Sequence, residues 1–244
     1  MQKIALITGG SRGIGAACVR AFARAGYTVL FLANRSWEQA AALKRSLMDD
    51  GANVDYCSCD ITVPEQVHKA VGAFLARWKR IDVLVNCAGV SSIGLFTDMT
   101  EEEWDALFAV NVRGMFSVTK AVLPQMISRR SGAIVNVSSM WGEVGASCEV
   151  AYSATKAAII GMTKALAKEV GPSGVRVNCV SPGVIDTDMN AQLTDENRAA
   201  LCDETPLCRI GTVEECANAI LFLCGEGASF ITGQVLGVSG GLVI

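Results

Sequence analysis

Seven short runs rich in aliphatic and β-branched residues recur along the chain: KIALIT, TVLFLA, NVDYCS, DVLVN, GAIVNVS, VRVNCVS and QVLGVSG. Stretches of helical periodicity separate them. Strands that alternate with helices in this way join in parallel, because each crossover lays its helix against one face of the sheet. The pattern predicts an α/β fold, a doubly wound parallel sheet of seven strands with helices on both faces. Ligands of such sheets bind outside the carboxyl ends of the strands.

Composition agrees, since 51% hydrophobic against 18% charged residues suits strands buried on both faces. No linker, repeat or low-complexity stretch interrupts the pattern. Residues 1–244 are therefore expected to form a single domain, with cofactor-binding elements mainly in 1–135 and catalytic and substrate elements mainly in 136–244. No apolar run approaches the roughly 20 residues of a membrane span, and the first strand begins almost at Met1, leaving no room for a signal peptide. These features predict a cytoplasmic protein with no membrane partner. A net charge of -3 gives no electrostatic reason to expect nucleic acid. The ten cysteines, spread from Cys18 to Cys224 in apolar segments, read as reduced, buried hydrophobes. Cys57 and Cys59 alternate along a strand and His68 stands alone, so no metal site is expected.

The first strand runs into Thr8-Gly9-Gly10-Ser11-Arg12-Gly13-Ile14-Gly15, with a helix expected from Ile14. Glycines there let the backbone turn tightly against a pyrophosphate, and the free N–H groups of the helix start face the anion. The spacing G-x-x-x-G-x-G is a relative of the G-x-G-x-x-G fingerprint and not an instance of it, and the sheet expected is of Rossmann type. An acidic residue ending the second strand would bind a ribose 2′-hydroxyl and repel a 2′-phosphate. This chain has Ala33-Asn34-Arg35-Ser36 instead. With Arg12 and Arg35 available for charge-assisted hydrogen bonds, the cofactor expected is NADP(H).

Tyr152 and Lys156, in AYSATK, lie four residues apart on an expected helix and share one face. An ammonium held near a phenol favours the phenolate, lowering a pKa that is ordinarily about 10. Such a pair equips a tyrosine for proton transfer near neutrality.

Five signatures stand in order along the chain: TGGSRGIG, the NCAG run from Asn86, Asn111 in NVRG, Ser139 with Tyr152 and Lys156, and Pro182-Gly183 followed by Ile185 and Thr187. Together they resemble the short-chain dehydrogenase/reductase family over essentially the whole length. Cys87 departs from the asparagine usual at that point in the family. The resemblance implies a catalytic set of Asn111, Ser139, Tyr152 and Lys156. Ser139 would bind the substrate carbonyl, Tyr152 would donate the proton, Lys156 would hold the nicotinamide ribose, and Asn111 would position a water leading to solvent. It implies cofactor contacts from Gly9, Ser11, Arg12, Gly13, Ile14, Gly15, Asn34, Arg35 and Ser36. Asp60 and Ile61 would meet the adenine, Asn86, Ala88 and Gly89 the adenosine side, and Pro182, Gly183, Ile185 and Thr187 the carboxamide end.

Within that family, the run from PLCRIG to the end resembles 3-oxoacyl-[acyl-carrier-protein] reductases of fatty acid synthesis. This implies a homotetramer joined through its last helix and strand, with Arg129 and Arg130 facing an acidic carrier. The segment from Met140 to Ala151 points elsewhere. It carries Trp141, Glu143 and Glu149 between two catalytic positions, and these suit an ammonium better than a neutral acyl chain. WGEVGASCEVAYSATK resembles reductases of the 5-aminopentanone modification on elongation factor P, which stands as the alternative. A sugar or steroid dehydrogenase and a non-catalytic nucleotide sensor are further readings; the intact Tyr152 and Lys156 speak against the sensor. The segment 190–197 has no feature that selects a ring-shaped substrate.

Overall fold

The computed structural model describes residues 2–191 and 193–244. Met1 and Gln192 lie outside the described residues. The seven strands are β1 (Ile4–Thr8), β2 (Thr28–Ala33), β3 (Val54–Ser58), β4 (Val83–Asn86), β5 (Gly132–Val137), β6 (Val175–Pro182) and β7 (Val235–Val238). They form one sheet in the order β3-β2-β1-β4-β5-β6-β7, parallel throughout. Every expected strand is present. The inner strands β1, β2 and β4 are buried at every residue, whereas the edge strands β3 and β7 are partly exposed.

Alternation of side chains along each strand divides the core in two. Ala5 and Ile7 of β1, with Phe31 of β2, face helices α1 (Gly13–Arg24), α2 (Trp37–Asp49) and α9 (Val213–Cys224). Ile4 and Leu6 face the other side, against α3 (Pro64–Trp78), α5 (Met115–Arg129) and α7 (Val150–Val170). The remaining helices are α4 (Glu101–Phe108), the short α6 (Trp141–Val144) and α8 (Asp195–Glu204). Helix starts follow local chemistry: Thr212 and Glu215 form a reciprocal capping box that begins α9. Helix α1 begins at Gly13, one residue before the expected Ile14.

The α4–α5 run, Glu101–Arg129, is continuous and long enough for a span, and an 18-residue window within it reaches a mean hydropathy of 1.3. Its Val118, Val122 and Met126 are fully buried and pack in the sheet's core, as in the core helix of a globular protein.

At the amino ends of the strands, opposite the glycine-rich turn, Asp82 is buried and receives the Ile4 N–H at 2.9 Å and Arg129 Nη1 at 2.9 Å. Arg80 Nε also donates to it, at 2.8 Å. Arg129 further donates to the Ile81 carbonyl at 2.8 Å, and Arg130 to the Pro172 carbonyl at 3.0 Å. This corrects the expectation of carrier docking for Arg129, an internal tie whose charge is satisfied by a carboxylate; Arg130 is exposed and bonded only to a neutral carbonyl.

Candidate active site

The turn after β1 is built around close backbone approach. Gly9 and Gly13 have φ of +67° and +51°, in the left-handed region that favours glycine. A Cβ on Gly15 would lie 2.0 Å from the Gly9 carbonyl oxygen, and one on Gly9 would lie 2.8 Å from Ala88 Cα. The Thr8 hydroxyl accepts from the N–H groups of Cys87 at 3.0 Å and Ala88 at 3.1 Å, tying this turn to the NCAG loop. Sequence reading missed Thr8, although its place as the last residue of β1 is the signal. Helix α1 has Arg12 as its N-cap residue, with no side-chain cap hydrogen bond and no acidic residue in its first turn. Its first N–H groups are left for an anion, and the cradle fits a dinucleotide pyrophosphate.

At the end of β2, Asn34 and Arg35 are exposed and Ser36 is partly buried. Asp60, after β3, accepts from the Thr62 hydroxyl at 2.7 Å and its N–H at 2.9 Å. The Thr62 hydrogen bonds, with help from Asn34 and the charge of Arg35, hold the Asp60 carboxyl below its usual range. Arg12 Nη1 lies 3.9 Å from Asp188, across the mouth of the cradle. Thr187 approaches from the same segment, its Cγ2 standing 3.6 Å from where a Gly13 Cβ would be.

Two expected cofactor contacts turn inward. Ile61 is buried and its Cδ1 fills the space a Cβ on Gly114 would need, so its side chain is part of the core. Asn86 donates to Asn136 Oδ1 at 2.9 Å and Thr119 Oγ1 at 3.0 Å, crossing the sheet interior. Ile185 is likewise buried, beside Gly211, where its backbone forms a bridge.

Ser139 follows β5, while Tyr152 and Lys156 lie on the first turns of α7, and all three are buried. Lys156 Nζ donates to the Val137 carbonyl at 3.0 Å and stands 5.4 Å from the Tyr152 ring centroid. Ser139 Oγ accepts the Trp141 N–H at 3.2 Å, which leaves its hydroxyl hydrogen to donate. Asn111 sits in a π-helical turn (Ala109–Gly114) between α4 and α5, fully buried. Its amide donates to Val90 O at 2.9 Å and Thr155 Oγ1 at 3.0 Å, and its Oδ1 accepts from Val90 N at 2.9 Å. On the Asn111 side chain, the second Oδ1 lone pair is left to serve the water-holding role expected for this residue. Gly89 lets the loop close here, since a Cβ on it would stand 3.3 Å from Asn111 Oδ1 and 3.4 Å from Lys156 Nζ.

A cavity of ≈ 80 Å³ opens at this point, lined by Ser139, Trp141, Glu149 and Tyr152 and by Gly183, Val184, Met189 and Asn190 of the segment after β6. Pro182 positions that segment by accepting the Met140 N–H at 3.0 Å. Trp141 and Glu149 therefore line the cavity at the reaction centre, whereas Glu143 is exposed outside that lining. Burial pushes the Glu149 carboxyl above its ordinary value, and the neighbouring Trp141 side chain opposes the rise. A larger cavity of ≈ 530 Å³ lies at the amino ends of the strands, around Lys3, Asp82 and Arg176. It includes no residue of the reaction centre.

A nucleotide cradle at the carboxyl edge of a parallel sheet, beside a serine and a tyrosine that close on one small cavity with a lysine behind the phenol ring, defines an oxidoreductase working on a keto/hydroxyl group with a nicotinamide cofactor. A family model described as enoyl-(acyl carrier protein) reductase matches residues 9–243. The chain is 44% identical over 243 residues to the 3-oxoacyl-[acyl-carrier-protein] reductase of Chlamydia trachomatis, covering 99% of this chain and 98% of that one. To the reductase of the same name from Thermotoga maritima it is 43% identical over 242 residues, at 99% and 98% coverage. An uncharacterized oxidoreductase of Bacillus subtilis is 41% identical over 242 residues, at 99% coverage of both. The crystal structure of gox2181 superposes with a TM-score of 0.95 at 32% identity, covering 99% of this chain and 95% of that one. The chain belongs to the short-chain dehydrogenase/reductase family.

Proposed function

We propose that the protein reduces a ketone to a secondary alcohol with NADPH, and that the ketone is the 3-oxo group of an acyl chain borne on acyl carrier protein. The observation that carries the reaction is the convergence of Ser139 and Tyr152 on one cavity, with Lys156 behind the phenol ring. The names of the relatives support the substrate. When bound, NADPH supplies the hydride. Ser139, with its hydroxyl hydrogen free, donates to the carbonyl oxygen and fixes its position. Tyr152 gives its phenolic proton to that oxygen as it becomes an alkoxide, and Lys156 stabilises the negative charge left on the phenol. Asn111 holds the loop of Gly89 and Val90 against this centre.

The preference for NADPH rests on Arg12 and Arg35 at a site with no carboxylate ending β2. Arg35 makes no ion pair among the described residues, and the Arg12 contact with Asp188 is long and exposed, so both can turn to a 2′-phosphate. The double variant Arg12→Ala/Arg35→Ala is expected to lower the NADPH-over-NADH ratio of kcat/KM by roughly 10²-fold, from two lost charge-assisted hydrogen bonds. A ratio unchanged from wild type would sink the assignment.

A homotetramer is the assembly this reading carries. Phe222 of α9 and Leu236 of β7 support it as exposed apolar residues on the last helix and strand. All ten cysteines are free, which supports the reducing cytoplasm as its compartment. The direct test is NADPH oxidation with an acetoacetyl thioester. Rapid turnover is expected, and its absence would remove the acyl substrate.

A further inference from the structure

We infer that the carboxyl-terminal tail, residues 239–244, sets the position of one wall of the reaction cavity, and that Gly240 is the positioning residue through which it does so. This rests on the ketone-reductase reading of that cavity. Gly183, Val184, Met189 and Asn190 form the wall, and all four come from the segment that leaves β6. The segment departs from the sheet at Gly183 and returns after α8 at Thr205. Gly211 closes its base, accepting the Asp186 N–H at 2.9 Å and donating to the Val184 carbonyl at 3.0 Å.

The tail touches both ends of this excursion. Where the chain leaves, the Gly183 N–H donates to the Val238 carbonyl at 3.0 Å. Ser239 stands directly behind it, and a Cβ on Gly183 would lie 2.7 Å from Ser239 Cα. Where the chain returns, the Leu207 N–H donates to the Gly240 carbonyl at 3.1 Å. A Cβ on Gly240 would lie 2.8 Å from Thr205 Cγ2, and one on Gly241 would lie 2.9 Å from Pro206 Cγ. Thr205 is buried and its hydroxyl donates to the Leu201 carbonyl at 2.6 Å, so a push on Thr205 reaches the last turn of α8. The tail itself is a compact turn. Gly240 and Gly241 have φ of +64° and +89°, the Leu242 N–H donates to the Ser239 carbonyl at 3.2 Å, and the Ser239 hydroxyl donates to the Val243 carbonyl at 3.1 Å. Two successive left-handed residues reverse the chain sharply, which wedges it between Gly183 and Thr205. Contacts this close leave no slack, so a side chain at position 240 must displace either the tail or Thr205. Ser139 and Tyr152 are held by other elements, β5 and α7, and the cradle by β1 and α1. A displaced wall therefore weakens the grip on the ketone and spares the proton transfer.

The test is Gly240→Ala with and without Thr205→Ser. Gly240→Ala is expected to raise KM for an acetoacetyl thioester by about tenfold, with kcat and the NADPH dissociation constant within about threefold of wild type. Thr205→Ser removes the obstructing methyl and keeps the hydroxyl, so the double variant should bring KM back to within about threefold of wild type. Left-handed alanine is equally strained in both variants, so recovery reports the contact and not the strain. Thr205→Ser alone loosens the same contact and should raise KM by about threefold, a measurement that stands even if Gly240→Ala does not fold. Hydrogen exchange at the Gly183 and Leu207 amides needs no turnover, and it should be faster in Gly240→Ala and restored in the double variant. KM and exchange unchanged in the single variants, or a raised KM that Thr205→Ser does not correct, would overturn the tail's role while leaving ketone reduction standing. Failure of wild-type enzyme to reduce the thioester would instead overturn the ketone-reductase reading, and the exchange rates would still decide whether the tail holds this wall.

Discussion

Replacing Tyr152 by phenylalanine is expected to lower kcat for ketone reduction by about 10²–10⁴-fold, the usual contribution of a positioned proton donor. The substitution keeps the ring, its burial and its place beside Lys156, removing only the hydroxyl that faces the cavity. The defect should therefore appear in turnover and not in folding. Steady-state rates combined with a fluorescence titration of NADPH separate the two, since a misfolded variant would lose nucleotide binding as well. A variant that binds NADPH and retains more than about a tenth of wild-type kcat would exclude Tyr152 as the donor.

The largest loss of stability is expected at the other end of the sheet. Asp82→Asn should destabilise the fold by about 3–5 kcal/mol, because it removes the anion from a buried cluster and takes from Arg129 the carboxylate it pairs with. Urea denaturation measures it, and a loss below about 1 kcal/mol would show that solvent already screens the cluster. Burial by itself would raise the Asp82 carboxyl, but hydrogen bonds from Arg80, Arg129 and the Ile4 N–H overcome it and hold the value below the usual range. A folded pKa below the unfolded one gives stability that is present above the unfolded value, about 3.9, and is lost as pH falls through the folded value. Wild-type protein should therefore lose stability on acidification below about pH 4 more steeply than the variant does.

The strands were legible because their residues repeat one chemical pattern, and the cradle because backbone crowding at Gly9 and Gly15 leaves room for no other residue. Tyr152 and Lys156 were legible because helical spacing fixes their shared face. Side-chain direction at strand ends was not. Asn86 turns inward because Asn136 and Thr119, distant in sequence, offer it partners there, and Ile61 because Gly114 leaves a space for it. Glu143 and Glu149 look alike in the sequence. Only the short helix α6, pressed against α7 where a Gly142 Cβ would fall 2.7 Å from the Lys156 carbonyl carbon, turns one to solvent and brings the other to the cavity. Arg129 lost its expected role to Asp82, a partner 47 residues away.

The strand order also sets how this chain must find its fold. β1 is flanked by β2 and β4, and the Ile4–Asp82 bond that begins the second pairing spans 78 residues. β1 cannot be paired on both edges until a third of the chain has been made and a long loop has closed, at an entropic cost that precedes any reward from pairing. Until then β1, among the most apolar strands, presents an unpaired edge to any neighbour during synthesis. The Asp82 cluster stands at that seam. Beyond its share in equilibrium stability, it is positioned to hold the two halves in register once they meet, and its loss would lengthen the interval in which the nascent protein is open to aggregation.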